Sequence, residues 1–160
     1  MNNLKRFEEF AKEQAVDIYK IETTENIDGL YIDNNIFINE KLDTFDYKEV
    51  LGHELGHHCT QLGNNLIKKP QFKAMFEYFA DCWKLKFELS LEKLGYYKIN
   101  DYEIYEICEI EMVKPESIQK AIDYYKSKYG NAVVETEKYK IKFYPNFKVC
   151  KIDDDFYDEY

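Results

Sequence analysis

The sequence predicts one α+β domain, a small β-sheet packed on a motif-bearing helix and on further helices. Three observations lead there. Apolar residues recur at helical spacing in several separate segments, and short β-branched and aromatic runs lie between them. The third is length: 160 residues give room for one real core and promise no second. Hydrophobic residues make up 45% and charged residues 33%, the balance of a chain that folds. No internal repeat, low-complexity segment or linker interrupts residues 1–160.

Taken in order, Leu4, Phe7, Phe10 and Ala11 form one helical stripe, which predicts a helix over residues 1–15. The small sheet is expected over 16–39. Val16 to Glu22 reads as a strand, and Leu30 to Asn39 as a hairpin turning at Asp33-Asn34-Asn35. Asp43 suits the N-cap of a helix over 43–62, with Asp46 in its first turn and Gly63-Asn64-Asn65 ending it. A long helix is expected over 71–94, its apolar side formed by Phe72, Met75, Phe76, Phe79, Trp83 and Phe87, with Gly95 as its stop. Ile104, Ile107, Cys108 and Met112 begin a pair of helices over 101–130, the second opened by Pro115 and closed by Gly130. Strands follow over 133–150, turning at Pro145-Asn146. An acidic tail, 151–160, gathers Asp153, Asp154, Asp155, Asp158 and Glu159 and reads as a solvated end.

The charge narrows the range of partners. A net charge of -9 repels a phosphate backbone, so direct nucleic-acid binding is not expected. No run approaches the ~20 apolar residues of a bilayer span, and Met1 to Phe10 lacks the apolar core of a secretory signal. Cys59, Cys82, Cys108 and Cys150 make no C-x-x-C pair, which argues against a thiolate metal site or a disulfide framework. Free thiols without a signal point to the cytoplasm.

The chemistry concentrates in His53-Glu54-Leu55-Gly56-His57, an H-E-x-x-H motif inside a predicted helix. Residues four apart share a helix face, so both imidazoles reach one ion. Zinc takes such nitrogens at about 2.0–2.1 Å and needs a third protein ligand. Glu54, rotated about 100° from His53, lies beside the ion, where it is placed to act as general base toward a water. All three histidines of the chain fall between His53 and His58. His58 projects from another side of the helix and reads as a supporting residue, with a weaker case for holding an oxyanion; fifteen tyrosines leave that role unassigned.

For the third ligand, Glu77 and Asp81 lie four apart on an aromatic-rich helix, where a carboxylate is costly unless paired or metal-bound. Either Glu77 ligates and Asp81 receives the free ring N–H of a ligand histidine, or both sit on the solvent side with Lys73 or Lys84. Gly52 and Gly56, also four apart, clear one stripe of the motif helix for a close neighbour.

These residues resemble the ImmA/IrrE family of small metallopeptidases of bacteria, phages and other mobile elements. Leu51-Gly52-His53-Glu54-Leu55-Gly56-His57-His58 looks like its metal helix, and Glu77-Tyr78-Phe79-Ala80-Asp81 looks like its Glu-x-x-Ala-Asn/Asp element. The Glu77-x-x-x-Asp81 spacing is also similar to that of thermolysin-like enzymes. The resemblance spans about residues 4–130, though only those two segments are specific. The family's later Leu-Met-Pro turn has no counterpart, since Trp83-Lys84-Leu85-Lys86 continues a helix.

What the resemblance implies is a zincin-like domain of the gluzincin kind, with Zn2+ on His53, His57 and Glu77 and Asp81 orienting a histidine. It further implies a zinc-dependent endopeptidase that cuts a separately encoded helix-turn-helix repressor, relieving repression of a mobile element or stress response. Two rivals stand beside it: a non-proteolytic zinc-containing regulator that binds a transcription factor, and an effector peptidase carried on mobile DNA.

Overall fold

Asn2 accepts the Lys5 amide through its side chain at 3.2 Å and opens α1 (Asn3–Glu13), whose inner stripe buries Phe7 and Ala11. The computed structural model describes residues 2–23, 27–60 and 70–152. Contacts group the chain into two compact units, Met1–Lys84 and Leu85–Tyr160. Helices and two small sheets together make it α+β, as its patterning predicts.

In the first unit, β1 (Asp17–Ile21), β2 (Gly29–Ile32) and β3 (Asn35–Asn39) form a sheet in the order β1-β3-β2. β1 runs parallel to β3 and β2 antiparallel to it. The expected hairpin turns where Asp33 and Asn34 both take positive φ, 47° and 62°. Two adjacent left-handed residues match the right-handed twist of a two-residue hairpin loop, and Asp and Asn tolerate that region best. Ile36 and Ile38 point inward and are fully buried. Against β2 and β3, and against α1, packs α2 (Thr44–Thr60). Asp43 accepts the Asp46 amide at 2.8 Å at its start, the cap its sequence predicts. The expected end at Gly63-Asn64-Asn65 and the acidic residues from Asp153 onward lie outside the described residues.

A 3-10 turn at Pro70–Phe72 leads into α3 (Lys73–Glu88). Gly52 and Gly56 do clear room on one stripe, and both face α3, where a Cβ on Gly52 would lie 3.2 Å from the Lys84 side chain. A Cβ on Gly56 would lie 2.5 Å from the Ala80 carbonyl oxygen of α3, and one on Gly52 would lie 2.6 Å from the Phe7 ring of α1. Glu49 ties α2 to α3 through Lys84, 2.6 Å away, and also bonds the buried Lys48. Burial pushes the Glu49 carboxyl up, yet the two ammonium groups outweigh it and hold it below the ordinary range.

The expected helix over 71–94 is corrected in three ways. It ends at Glu88, and Ser90 starts a separate helix, α4 (Leu91–Ile99), by accepting the Lys93 amide at 3.3 Å. Gly95 therefore stops nothing. It lies inside α4, where a Cβ would sit 2.5 Å from the Tyr139 ring. The third correction concerns the apolar face, since Met75 and Phe79 are exposed while Phe76 and Ala80 are buried. The buried stripe follows the i, i+4 row, and the other two rings are rotated off it.

In the second unit, α4 is followed by α5 (Ile104–Glu111), which opens on a reciprocal Glu103–Glu106 capping box and ends at Met112 with φ 54°. Next is α6 (Pro115–Tyr129), with Pro115 in its first turn. β4 (Val133–Glu135), β5 (Tyr139–Lys142) and β6 (Lys148–Lys151) form an antiparallel meander. Leu94, Ile107, Ile118, Tyr125, Ile141 and Phe143 centre its core. Buried Glu111 is satisfied there by the Tyr97 hydroxyl and the Lys93 ammonium, both at 2.5 Å. Among the described residues no helix is long and apolar enough to cross a membrane.

Candidate metal centre

The H-E-x-x-H segment lies within α2, and its two histidines share one face as the spacing predicts. Their Nε2 atoms are 3.0 Å apart. α3 brings Glu77 to the same point, with Oε2 3.0 Å from His53 Nε2 and 3.6 Å from His57 Nε2. Ligand atoms of His53, His57 and Glu77 all lie within 4.8 Å of one another. The close Gly56–Ala80 contact makes this possible, because Glu77 stands one turn before Ala80 on the helix it brings near.

The donor set fits zinc. Two imidazole nitrogens and a carboxylate oxygen are its ordinary ligands, and bonds of about 2.0–2.1 Å in a tetrahedron put ligand atoms about 3.3 Å apart. The observed separations of 3.0, 3.0 and 3.6 Å bracket that value.

Around this triad, Asp81 Oδ1 lies 2.9 Å from His53 Nδ1, so its carboxylate receives the ring N–H and turns Nε2 toward the cluster. That bond raises the His53 pKa most, burial opposes it, and the Asp81, Glu54 and Glu77 charges add to the rise. The His57 pKa moves down, first through burial and then through His53, and its buried Nδ1 has no hydrogen-bond partner among the described residues. The two histidines are thus held unequally. Asp81→Ala is expected to keep the fold and lower zinc affinity about 10–100-fold, read by competition with a chelating dye; unchanged affinity would remove Asp81 from the site.

Glu54 is buried, and burial pushes its carboxyl up to about 7; the His53 charge opposes this, the Glu77 charge adds to it, and the backbone N–H of Tyr31 pulls it partly back. A Cβ on Gly29 would stand 2.9 Å from Glu54 Oε1, so this glycine lets β2 pass directly over the carboxylate. His58 lies outside the ligand cluster. Its Nδ1 is 2.9 Å from the Tyr31 hydroxyl, and burial moves its pKa down.

Tyr31 is the site residue that sequence reasoning left unassigned. It touches Glu54 through its amide and His58 through its phenol, and it lines the cleft. Strand alternation was the available signal, since Gly29 and Tyr31 share the face opposite Leu30 and Ile32. The cleft has a volume of about 530 Å³, with apolar walls from Ile27, Leu30 and Phe76 and with Lys73 on its lining. No family model, curated protein or solved structure matches the chain.

Proposed function

We propose that this chain is a zinc-dependent endopeptidase with a zincin-like first unit, its metal held by His53, His57 and Glu77. The single observation that carries the reading is the convergence of those three ligand atoms with buried Glu54 beside them at an apolar cleft. When bound, zinc supplies Lewis acidity that polarises a carbonyl and brings the pKa of water toward about 7.

The protein's own groups do the rest. Glu54 takes the proton of the attacking water and later returns it to the leaving amine. Its burial keeps that proton from bulk solvent, and the Tyr31 amide fixes the carboxylate's direction. Asp81 fixes the His53 ring. Ile27, Leu30 and Phe76 favour an apolar stretch of polypeptide in the cleft. From the resemblance of the two motifs, the substrate we propose is a separately encoded helix-turn-helix repressor, met in the cytoplasm.

A mixture of quenched fluorescent peptides tests the activity. Hydrolysis is expected to stop with a chelator and to return with zinc. It should also fall as pH drops through the imidazole range, because ligating imidazoles must be neutral. The raised His53 pKa lets protons compete above the ordinary value of about 6.5. Chelator-resistant hydrolysis, or zinc held undiminished well below about pH 5, would contradict the two-histidine site.

A further inference from the structure

We infer that the solvent-facing side of the β1-β3-β2 sheet docks a separate protein carrying an apolar centre and two basic side chains, and that this protein supplies the segment entering the cleft. The inference rests on the peptidase reading for its second half only.

Both faces of this sheet carry apolar side chains. The inner one, through Ile36 and Ile38, packs against helices. On the outer one, Tyr19, Ile21, Leu30 and Ile32 keep 45, 39, 45 and 48% of their surface exposed, and Phe37 stacks on Tyr19 at 5.3 Å. Single exposed apolar side chains are ordinary, but five on one face of three strands form a patch.

The register shows how the patch is arranged. Its middle row is Tyr19, Phe37 and Leu30, apolar throughout. One flanking row is Asp17, Asn35 and Ile32. The other is Ile21, Asn39 and Asp28, the last placed by the Asn39 amide donating to the Asp28 carbonyl at 3.0 Å. Asp17 and Asp28 therefore occupy diagonally opposite corners, and Ile21 and Ile32 the other two.

That pattern argues against a second copy as the occupant. A two-fold contact along or across the strands would seat each carboxylate on an isoleucine, and a diagonal one would seat carboxylate on carboxylate. Either choice buries charge without a partner. A heterologous protein with Lys or Arg at the two corners satisfies both carboxylates, and the chain's net charge of -9 draws it in.

Area links the face to the cleft. Five partly exposed side chains offer a few hundred Å², short of the ~800 Å² per partner of a stable complex. The surface continues across β2, whose Leu30 belongs to the outer face and also lines the cleft. A partner large enough to bind stably thus reaches the metal site.

The test places the photo-crosslinking residue p-benzoylphenylalanine at Tyr19, Ile32, Lys73 in the cleft, or Lys120 as an exposed control, in the full chain carrying Glu54→Gln. Cells of the natural host are irradiated and the adducts identified by mass spectrometry. The expected result is one and the same protein of basic isoelectric point from Tyr19, Ile32 and Lys73, and none from Lys120. Purified, that protein should bind about tenfold or more weakly to Asp17→Lys/Asp28→Lys and to Ile32→Lys. Ile32→Lys should still hydrolyse a short peptide at the wild-type rate.

Adducts with a second copy of this chain, different proteins from face and cleft, or face yields no higher than at Lys120 would overturn the docking surface. So would full binding by the charge-reversed variant. If the captured protein binds as expected yet the zinc-loaded chain leaves it intact, docking stands and the peptidase reading fails.

Discussion

Glu54→Gln is expected to retain one equivalent of zinc and to lose hydrolysis by a factor of ~100 to 10,000. The amide matches the carboxylate in shape, and its oxygen still accepts from the Tyr31 N–H, so β2 and α2 keep their contact. What disappears is the group that takes a proton. None of the three ligand atoms is touched, because Glu54 lies outside the His53, His57 and Glu77 cluster. The measurement pairs turnover of a defined peptide with metal analysis on the same preparation. Loss of metal would mean that Glu54 is a ligand, and unchanged turnover would mean that it is no base.

The second large effect lies away from the chemistry. At an open helix site, Gly56→Ala would gain up to about 1 kcal/mol in helix propensity. Here the added Cβ would stand 2.5 Å from the Ala80 carbonyl oxygen and 2.9 Å from its Cα, and backbone does not swing aside as a flexible side chain does. The sign reverses, and a net loss of about 1–3 kcal/mol is expected. The same clash pushes α3 outward, and Glu77, three residues before Ala80, goes with it. Zinc affinity should therefore fall together with stability. Urea denaturation of the metal-free chain separates the first effect, and chelator competition reads the second. A variant as stable and as zinc-avid as wild type would refute the close approach of the two helices.

Much of this was legible in the residues. The helical stripe of α1, the hairpin over Asp33 and Asn34, and the motif-bearing α2 follow from local patterns that tertiary packing reinforces. The placement of His53 and His57 follows from helix geometry alone. Bringing Glu77 to them needed two helices to meet, and the local signs of it were the stripe cleared by Gly52 and Gly56 and two carboxylates on an aromatic-rich helix.

What stayed hidden depends on contacts distant in sequence. Gly95 looks like a helix stop, but its role is set by Tyr139, forty-four residues on. Ser90 after an unbroken aromatic pattern gave no sign strong enough to divide the helix, although its cap divides it. Met75 and Phe79 are apolar and exposed because period alone cannot say how wide a stripe a neighbour will cover. Tyr31 was one of fifteen tyrosines until β2 was seen to lie across Glu54.

Metal content decides whether His53, His57 and Glu77 form one site. Wild type and Glu77→Ala are purified side by side, reconstituted with zinc, and analysed for bound metal and for affinity. The three-ligand site predicts one equivalent of zinc in wild type. It also predicts a fall in Glu77→Ala larger than the ~10–100-fold expected from losing Asp81. Wild type without zinc after reconstitution, or Glu77→Ala binding it as tightly as wild type, would contradict the site.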